Sequence, residues 1–319
     1  MTIDISQIIT EYGAYQKNRG QSTSDIYKVR EDRNTFKNAF QNRVTNDTRV
    51  ELAEAEITEL LQAYQDDFTT KGTFSATPRT ILLDQYKVDL KMNPNTVVQS
   101  WLGFLSTNSL DRGSWPLVKY IMEVYVASRV EADLNKAQWG GEKGTITAGA
   151  ATTALAAMDG LKKKINDGIT ASAITPIATG ALNTDPETCA EQLEDFVASV
   201  PELYKMDNMQ LNVAPNIYHR YRKGTDSKYN ANYDRLTDTL SVQQFPNIKI
   251  VAQTAMAGSD KIWMTPEGNA VRWTKGVDVT KDFRINEFEP RMVHVYTDAF
   301  ETVDFIQQSL VFTNDVETA

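Results

Sequence analysis

The stretch "SWPLVKYIMEVYVASRVEADLNKAQWGG", residues 114–141, sets the scale of the fold. Ser114 offers an N-cap oxygen, Pro116 falls in the first turn where its missing N–H costs nothing, and Gly140 and Gly141 stop the run. Between them Leu117, Ile121, Val124, Val126, Val130 and Leu134 recur at threes and fours, which predicts one helix over 114–139, roughly 35 Å long. A helix of that length spans a domain, and its apolar stripe needs a surface to lie across.

Upstream of it, Ile5, Ile8, Ile9 and Tyr12 form a short amphipathic element too small to stand alone. From 14 to 49 the chain turns polar and net basic, with Lys17, Arg19, Lys28, Arg30, Arg33, Lys37, Arg43 and Arg49 against Asp25, Glu31, Asp32 and Asp47. That composition predicts an arm or extended loop rather than core. Residues 50–68 place Ile57, Leu60, Leu61, Tyr64 and Phe68 on one helical face, which predicts an amphipathic helix. In "RTILLDQYKVDLKM" (79–92) Val88, Leu90 and Met92 alternate, which predicts a strand bounded by Pro78 and Pro94; the short apolar segment "TVVQSWLGFL" follows.

Downstream, an Ala/Thr/Gly-rich connector (145–156) leads to a helix around "MDGLKKKIND". In "DPETCAEQLEDFVASVP" Asp185 caps, Pro186 begins, and Cys189, Leu193, Phe196, Val197 and Val200 share a face until Pro201. "NMQLNVAP" alternates as a strand, and Pro215 opens a short helix ended by Gly224. "IKIVAQ", "KIWM", "FRINEFE" and "RMVHVYT" read as strands, and "ETVDFIQQSLVF" as a mixed strand pattern. Between Met264 and Trp273, Pro266 and Gly268 suit a hairpin corner. The fold class is α+β, without repeats or parallel βαβ alternation.

The bulk numbers fit one elaborate or two ordinary domains: 319 residues, 41% hydrophobic, 24% charged. A formal net charge of -9 argues against a non-specific binder of DNA or membrane surfaces, which needs clustered Lys and Arg. Cys189 is the only cysteine, so the chain makes no internal disulfide, and a reducing compartment is expected. The start "MTIDISQIITEYG" lacks the basic, apolar and small-residue regions of a secretory signal, and no apolar run approaches bilayer-spanning length.

Chemistry-bearing residues do not assemble into a site. Cys189 lies on an apolar stripe and His294 alternates with Val293 and Val295 in a strand. His219 neighbours Arg220, Arg222 and Lys223, which could in principle face an anion, but a solvated or interface helix face is the favoured reading. "GGEKGT" (140–145) has Lys-Gly-Thr where a phosphate loop needs Gly-Lys-Ser/Thr. The pairs Asp66-Asp67 and Glu194-Asp195, each adjacent on a helix, point apart, and Glu267 alone is no catalyst. No catalytic, cofactor-binding or metal residues are assigned.

In this order the motifs resemble a tailed-bacteriophage major capsid protein with the Hong Kong 97-type shell fold. The resemblance lies in the N-terminal arm, in "ILLDQYKVDLKM" leading through "VVQSWLGFL" to the long helix, and in "MQLNVAPNIYHRYRKG" as a strand and Pro-initiated helix. It continues in "IKIVAQTAM…DKIWMTPEGNAVRW" as a later hairpin, and in "FEPRMVHVYTDAF" as strands returning to the peripheral domain. It implies a Hong Kong 97-like fold with an arm, extended loop, spine helix, peripheral domain and axial domain. The arm and part of the extended loop would occupy 1–49, the helix, extended-loop and peripheral strands and spine helix 50–144, the axial domain 145–278, and the return strands 279–319.

The implied role is a structural homo-oligomer of hexamers and pentamers closing an icosahedral or prolate head in the virion. It would be assembled in the host cytoplasm around packaged double-stranded DNA, with a portal and separate scaffolding or decoration proteins as partners, and with no membrane. Three alternatives stay open: an encapsulin-like compartment shell, another virion component such as a tail protein, and an enzyme or binding protein for an anionic ligand using Arg220, Arg222 and Lys223.

Overall fold

The computed structural model describes residues 35–93, 98–108, 125–229, 240–276, 284–289 and 292–317. The predicted element at 1–13, the arm from 14 to 34, Pro94 and the predicted helix start at 114–124 lie outside them. Strands β1 (Gln41–Thr45), β2 (Arg49–Ile57), β3 (Phe74–Leu82) and β4 (Asp84–Met92) come first, then helices α1 (Val98–Thr107), α2 (Ala127–Gly140), α3 (Leu161–Thr170), α4 (Pro186–Ala198) and α5 (Glu202–Lys205). Strand β5 (Met209–Val213) and helix α6 (Pro215–Tyr229) follow. The chain continues through β6 (Ser241–Val242), β7 (Phe245–Ala252), β8 (Trp263–Pro266), β9 (Ala270–Lys275), β10 (Arg284–Glu289), β11 (Met292–Phe305) and β12 (Phe312–Thr313). It divides into two compact units. One takes in Asp89–Arg129 and Arg284–Tyr296, and the other Asp32–Val88, Val130–Phe283 and Thr297–Ala319.

In the larger unit the central sheet runs β12-β8-β5-β7-β6. Strand β5 pairs parallel to β7, so the chain leaving β5 through α6 makes a crossover; one parallel unit is therefore present where the sequence suggested none. Helix α4 forms as its sequence predicts. Asp185 accepts the Thr188 amide at 3.0 Å, and Cys189, Leu193, Phe196 and Val197 are fully buried on the predicted stripe.

Helix α6 does not stop at Gly224 but continues to Tyr229. The glycine serves close approach instead: a Cβ there would lie 2.0 Å from the Pro186 carbonyl oxygen and 3.0 Å from Ala190 Cβ, where α4 crosses α6. Gly224→Ala is therefore expected to cost about 1–3 kcal/mol, because a backbone carbonyl cannot rotate away as a side chain can. Urea unfolding checks this, and wild-type stability in that variant would contradict the close crossing.

The second sheet follows β1-β9-β11-β10, with β4 also pairing β11. Strand β11 is longer than "RMVHVYT", running on into "ETVDF": residues 292–296 pair with β10 and residues 301–305 with β9. The Pro266–Asn269 corner is a turn, closed by Asn269 N–H donating to the Pro266 carbonyl at 3.2 Å. Gly268 takes φ +85 at its third position, which only glycine adopts readily. It is not a hairpin, however. Strand β8 belongs to the central sheet and β9 to the other, so the turn passes the chain from one sheet to the next. Asn269 fixes it by donating to Thr265 Oγ1 and the Gln307 carbonyl.

Helix α2 keeps Val130 and Leu134 buried, with Val126 buried just before it, and ends at Gly140, as the pattern predicts. Residues 35–45 depart from the arm reading. Phe36 is fully buried, stacked edge-on with Phe40, Trp139 and Trp263 at 4.9, 5.9 and 6.2 Å. Its amide donates to Asn135 Oδ1 on α2 at 3.2 Å, and β1 adds to β9 in parallel. Two aromatics spaced by four in a polar, basic stretch were enough to make core.

Candidate assembly surface

Phe68 and Tyr64, the most exposed large apolar side chains among the described residues, lie in the loop that joins β2 and β3, strands that pair antiparallel over their whole length, Arg49↔Leu82 to Ile57↔Phe74. These strands form a two-stranded ribbon joined to no other strand among the described residues. The predicted helix at 50–68 is thus a strand to Ile57 followed by a loop without regular structure. Among the described residues nothing covers the helical stripe. Leu60, Leu61, Tyr64 and Phe68 are 61%, 85%, 92% and 96% exposed, so pairing the 49–57 backbone with 74–82 wins. Asp66 and Asp67 accordingly sit in this loop. Pro78 does not bound a strand but lies inside β3 opposite Ala53, tolerated because both strands of a ribbon are edges.

The ribbon is anchored at its near end and bare at its far end. Arg79 donates to Asp304 Oδ1 at 3.0 Å and to the Phe305 carbonyl. Glu54 Oε1 accepts the Gln308 amide at 2.7 Å, and the Leu83 amide reaches the Thr48 carbonyl at 2.9 Å. The loop is held by its own contacts: Thr73 N–H to Thr58 Oγ1 at 2.7 Å, Gln62 to the Thr69 carbonyl at 2.8 Å, and Lys71 to Glu59 at 3.0 Å. An ordered loop with four exposed large apolar side chains, Leu60, Leu61, Tyr64 and Phe68, marks a contact site rather than a solvated turn.

The residues weighed for chemistry are scattered. Cys189 is buried, and burial pushes its thiol up. His219 is exposed with Arg222 and Lys223 on the outer side of α6, while Arg220 donates to the Asn183 carbonyl at 3.2 Å. His294 lies in β11 opposite Asn286. Among the described residues, no three His, Cys, Asp or Glu side chains gather where they could hold a metal ion, and no helix is long and apolar enough to cross a membrane.

Two buried ionic clusters were not legible in the sequence. Glu301, fully buried on β11, accepts Arg272 Nε and Nη2 from β9, each at 2.7 Å, Gln138 Nε2 from α2 at 2.6 Å and Tyr86 OH from β4 at 3.2 Å. Lys261, also fully buried, donates to Asn166 Oδ1 at 2.8 Å and the Val316 carbonyl at 3.1 Å. Glu317 beside it accepts Ser259 Oγ, the Asp260 amide and Lys162 Nζ.

Burial pulls the Lys261 ammonium from 10.5 down to about 8. The unfolded chain then binds the extra proton between about pH 8 and 10.5, so this group's penalty is complete below pH 8 and is relieved as pH rises. The gain should reach about 3 kcal/mol. Denaturant melts across that window should show the rise in the wild type and a flatter profile in Lys261→Met; parallel profiles would refute the assignment.

No protein-family model matches the sequence, and no curated protein matches it. Solved structures do. The chain is similar to the capsid of Myoviridae phage XM1 (13% identity, TM-score 0.56, covering 93% of this chain and 97% of that one). It is also similar to the satellite phage P4 procapsid (12%, 0.55, 98% and 97%) and to the capsid of the native GTA particle (14%, 0.55, 98% and 99%). At these identities the likeness establishes architecture: the chain has the capsid-protein fold of those particles, the fold class its motif order resembles.

Proposed function

We propose that this chain is the major capsid protein of a tailed phage, a structural, non-enzymatic subunit that self-assembles as hexamers and pentamers into a closed head. The observation that carries the reading is an ordered ribbon whose loop leaves Leu60, Leu61, Tyr64 and Phe68 in solvent, within a fold that matches the capsid chains of phage XM1 and satellite phage P4 over nearly their full length. A monomeric protein gains nothing from such a surface. A shell subunit covers it on its neighbours, at roughly 25 cal/mol per Å² of apolar area removed from water. Packaged double-stranded DNA fills the head without sequence-specific contact, portal and scaffolding or decoration proteins complete it, and assembly takes place in the host cytoplasm.

Sedimentation of the purified protein tests this. The wild type should form large assemblies, whereas a variant with Leu60, Leu61, Tyr64 and Phe68 changed to serine should stay small with an unchanged thermal melt. A wild type that stays monomeric at all concentrations, or a quadruple variant that assembles normally, defeats the proposal.

A further inference from the structure

The end of the chain is anchored and then strapped. Asn314, fully buried, accepts the Ile262 amide at 3.1 Å and donates to the Asp260 carbonyl at 2.9 Å. Beyond it, among the described residues, the hydrogen bonds between residues 315–317 and the rest of the chain all run one way: the tail accepts and its seat donates. Asp315 Oδ1 takes the successive amides of Thr179 and Gly180 at 3.1 and 3.0 Å and Thr179 Oγ1 at 3.4 Å, the arrangement in which a turn of backbone holds an anion. The Val316 carbonyl takes Lys261 Nζ at 3.1 Å. Through its carboxylate Glu317 takes the Asp260 amide at 2.8 Å, Ser259 Oγ at 2.9 Å and Lys162 Nζ, and through its carbonyl Asn166 Nδ2 at 2.9 Å. Glu317 holds φ +54, a left-handed backbone that a non-glycine residue keeps only where its contacts over-determine it.

We propose that α3 and the loops at 179–180 and 259–261 form a receptor for an acidic Asp-x-Glu segment, filled here by the chain's own tail, which opens and closes as a strap about Asn314 while the central sheet stays folded. The seat holds together without the tail. The Ser259 amide donates to the Met256 carbonyl at 3.0 Å, Ser259 Oγ accepts the Lys261 amide at 3.2 Å, and Asn166 Oδ1 accepts Lys261 Nζ at 2.8 Å. The strap itself adds little core: Phe312 is the last core residue, Asp315 is exposed, and Val316 and Glu317 are half-buried. Lifting residues 315–317 therefore breaks chiefly polar contacts, and such a segment opens at a lower free energy than the sheet. Charge selects the ligand. A seat of donors that includes the Lys162 and Lys261 ammonium groups leaves a neutral tail under-paired, and on a chain of formal charge -9 it is a local exception that draws carboxylates. Spacing selects the pattern, since one intervening residue puts the first carboxylate on the 179–180 amides and the second on Lys162.

Hydrogen exchange on the full-length chain is the test. The Thr179, Gly180 and Asp260 amides report the strap, while the Ile250 and Gln253 amides, bonded to the Leu240 and Val213 carbonyls at 2.7 and 2.9 Å, report the central sheet. In Asp315→Ala/Glu317→Ala the seat amides should exchange roughly tenfold faster or more, with the sheet amides unchanged. A synthetic peptide of residues 313–319 added to that variant should slow the seat amides again, and the Asp315→Asn/Glu317→Gln form of the same peptide should not. Unchanged seat amides, or sheet amides that speed up equally, overturn the strap. Equal protection by both peptides, or none by either, overturns the carboxylate receptor.

Discussion

Glu301→Leu is expected to destabilise the chain by about 3–5 kcal/mol, because it removes the carboxylate that holds Arg272 inside the protein. Glu301 is fully buried and receives two N–H donors from Arg272, with further hydrogen bonds from Gln138 and Tyr86. It thereby ties β9, β4 and α2 to β11. Loss of the carboxylate removes this counter-charge from a buried guanidinium, and Gln138 and Tyr86 lose the acceptor they share. The double variant Arg272→Met/Glu301→Leu should recover at least about 2 kcal/mol relative to the sum of the single changes, since replacing both charges removes the uncompensated one. Urea unfolding of the four proteins measures the cycle. A single-variant cost below about 1 kcal/mol, or simple additivity, would show that the pair is not the tie described.

The second large effect is expected at Phe36. Truncation to alanine should cost about 3–5 kcal/mol, the range for emptying a fully buried aromatic site. The ring is enclosed by Phe40, Trp139 and Trp263, three rigid aromatics with little freedom to collapse into the gap. The consequence separates two accounts of the N-terminal region. If residues up to 49 were a clasp between subunits, Phe36→Ala would spare monomer stability and weaken assembly. The packing instead predicts a lowered thermal midpoint of the unassembled chain, read by circular dichroism at a concentration too low to assemble.

Much of the architecture was legible where the signals are local. Asp185-Pro186 and the stripe through Cys189, Leu193 and Phe196 specify α4 without help from the rest of the chain, and Gly140-Gly141 mark the end of α2. The ribbon was misread for a physical reason. Ile57, Leu60, Leu61 and Tyr64 have helical spacing, but none of the described residues covers that stripe, and the shift of the apolar positions from Val50 and Leu52 to Ala53, Ala55 and Ile57 hides the alternation of β2. The same holds at Phe36, where a non-local cluster of tryptophans overrides a polar surrounding sequence, and at Gly224, where a glycine that reads as a stop is a helix crossing. The ionic pair of Arg272 and Glu301 joins residues 29 positions apart, and nothing in either neighbourhood announces the other.

The candidate surface was legible only as the apolar face of a predicted helix. Its apolar side chains were visible in the sequence, but their exposure, and the bare far half of the ribbon, appear only once β2 is paired with β3. That exposure is what turns a fold into a proposal about assembly.

Electron microscopy of the purified full-length chain, concentrated under conditions that favour assembly, tests the central claim most directly. The account predicts closed shells of uniform diameter built from five- and six-fold clusters of subunits. A population of dispersed monomers, or of open rings and tubes that never close, would contradict it.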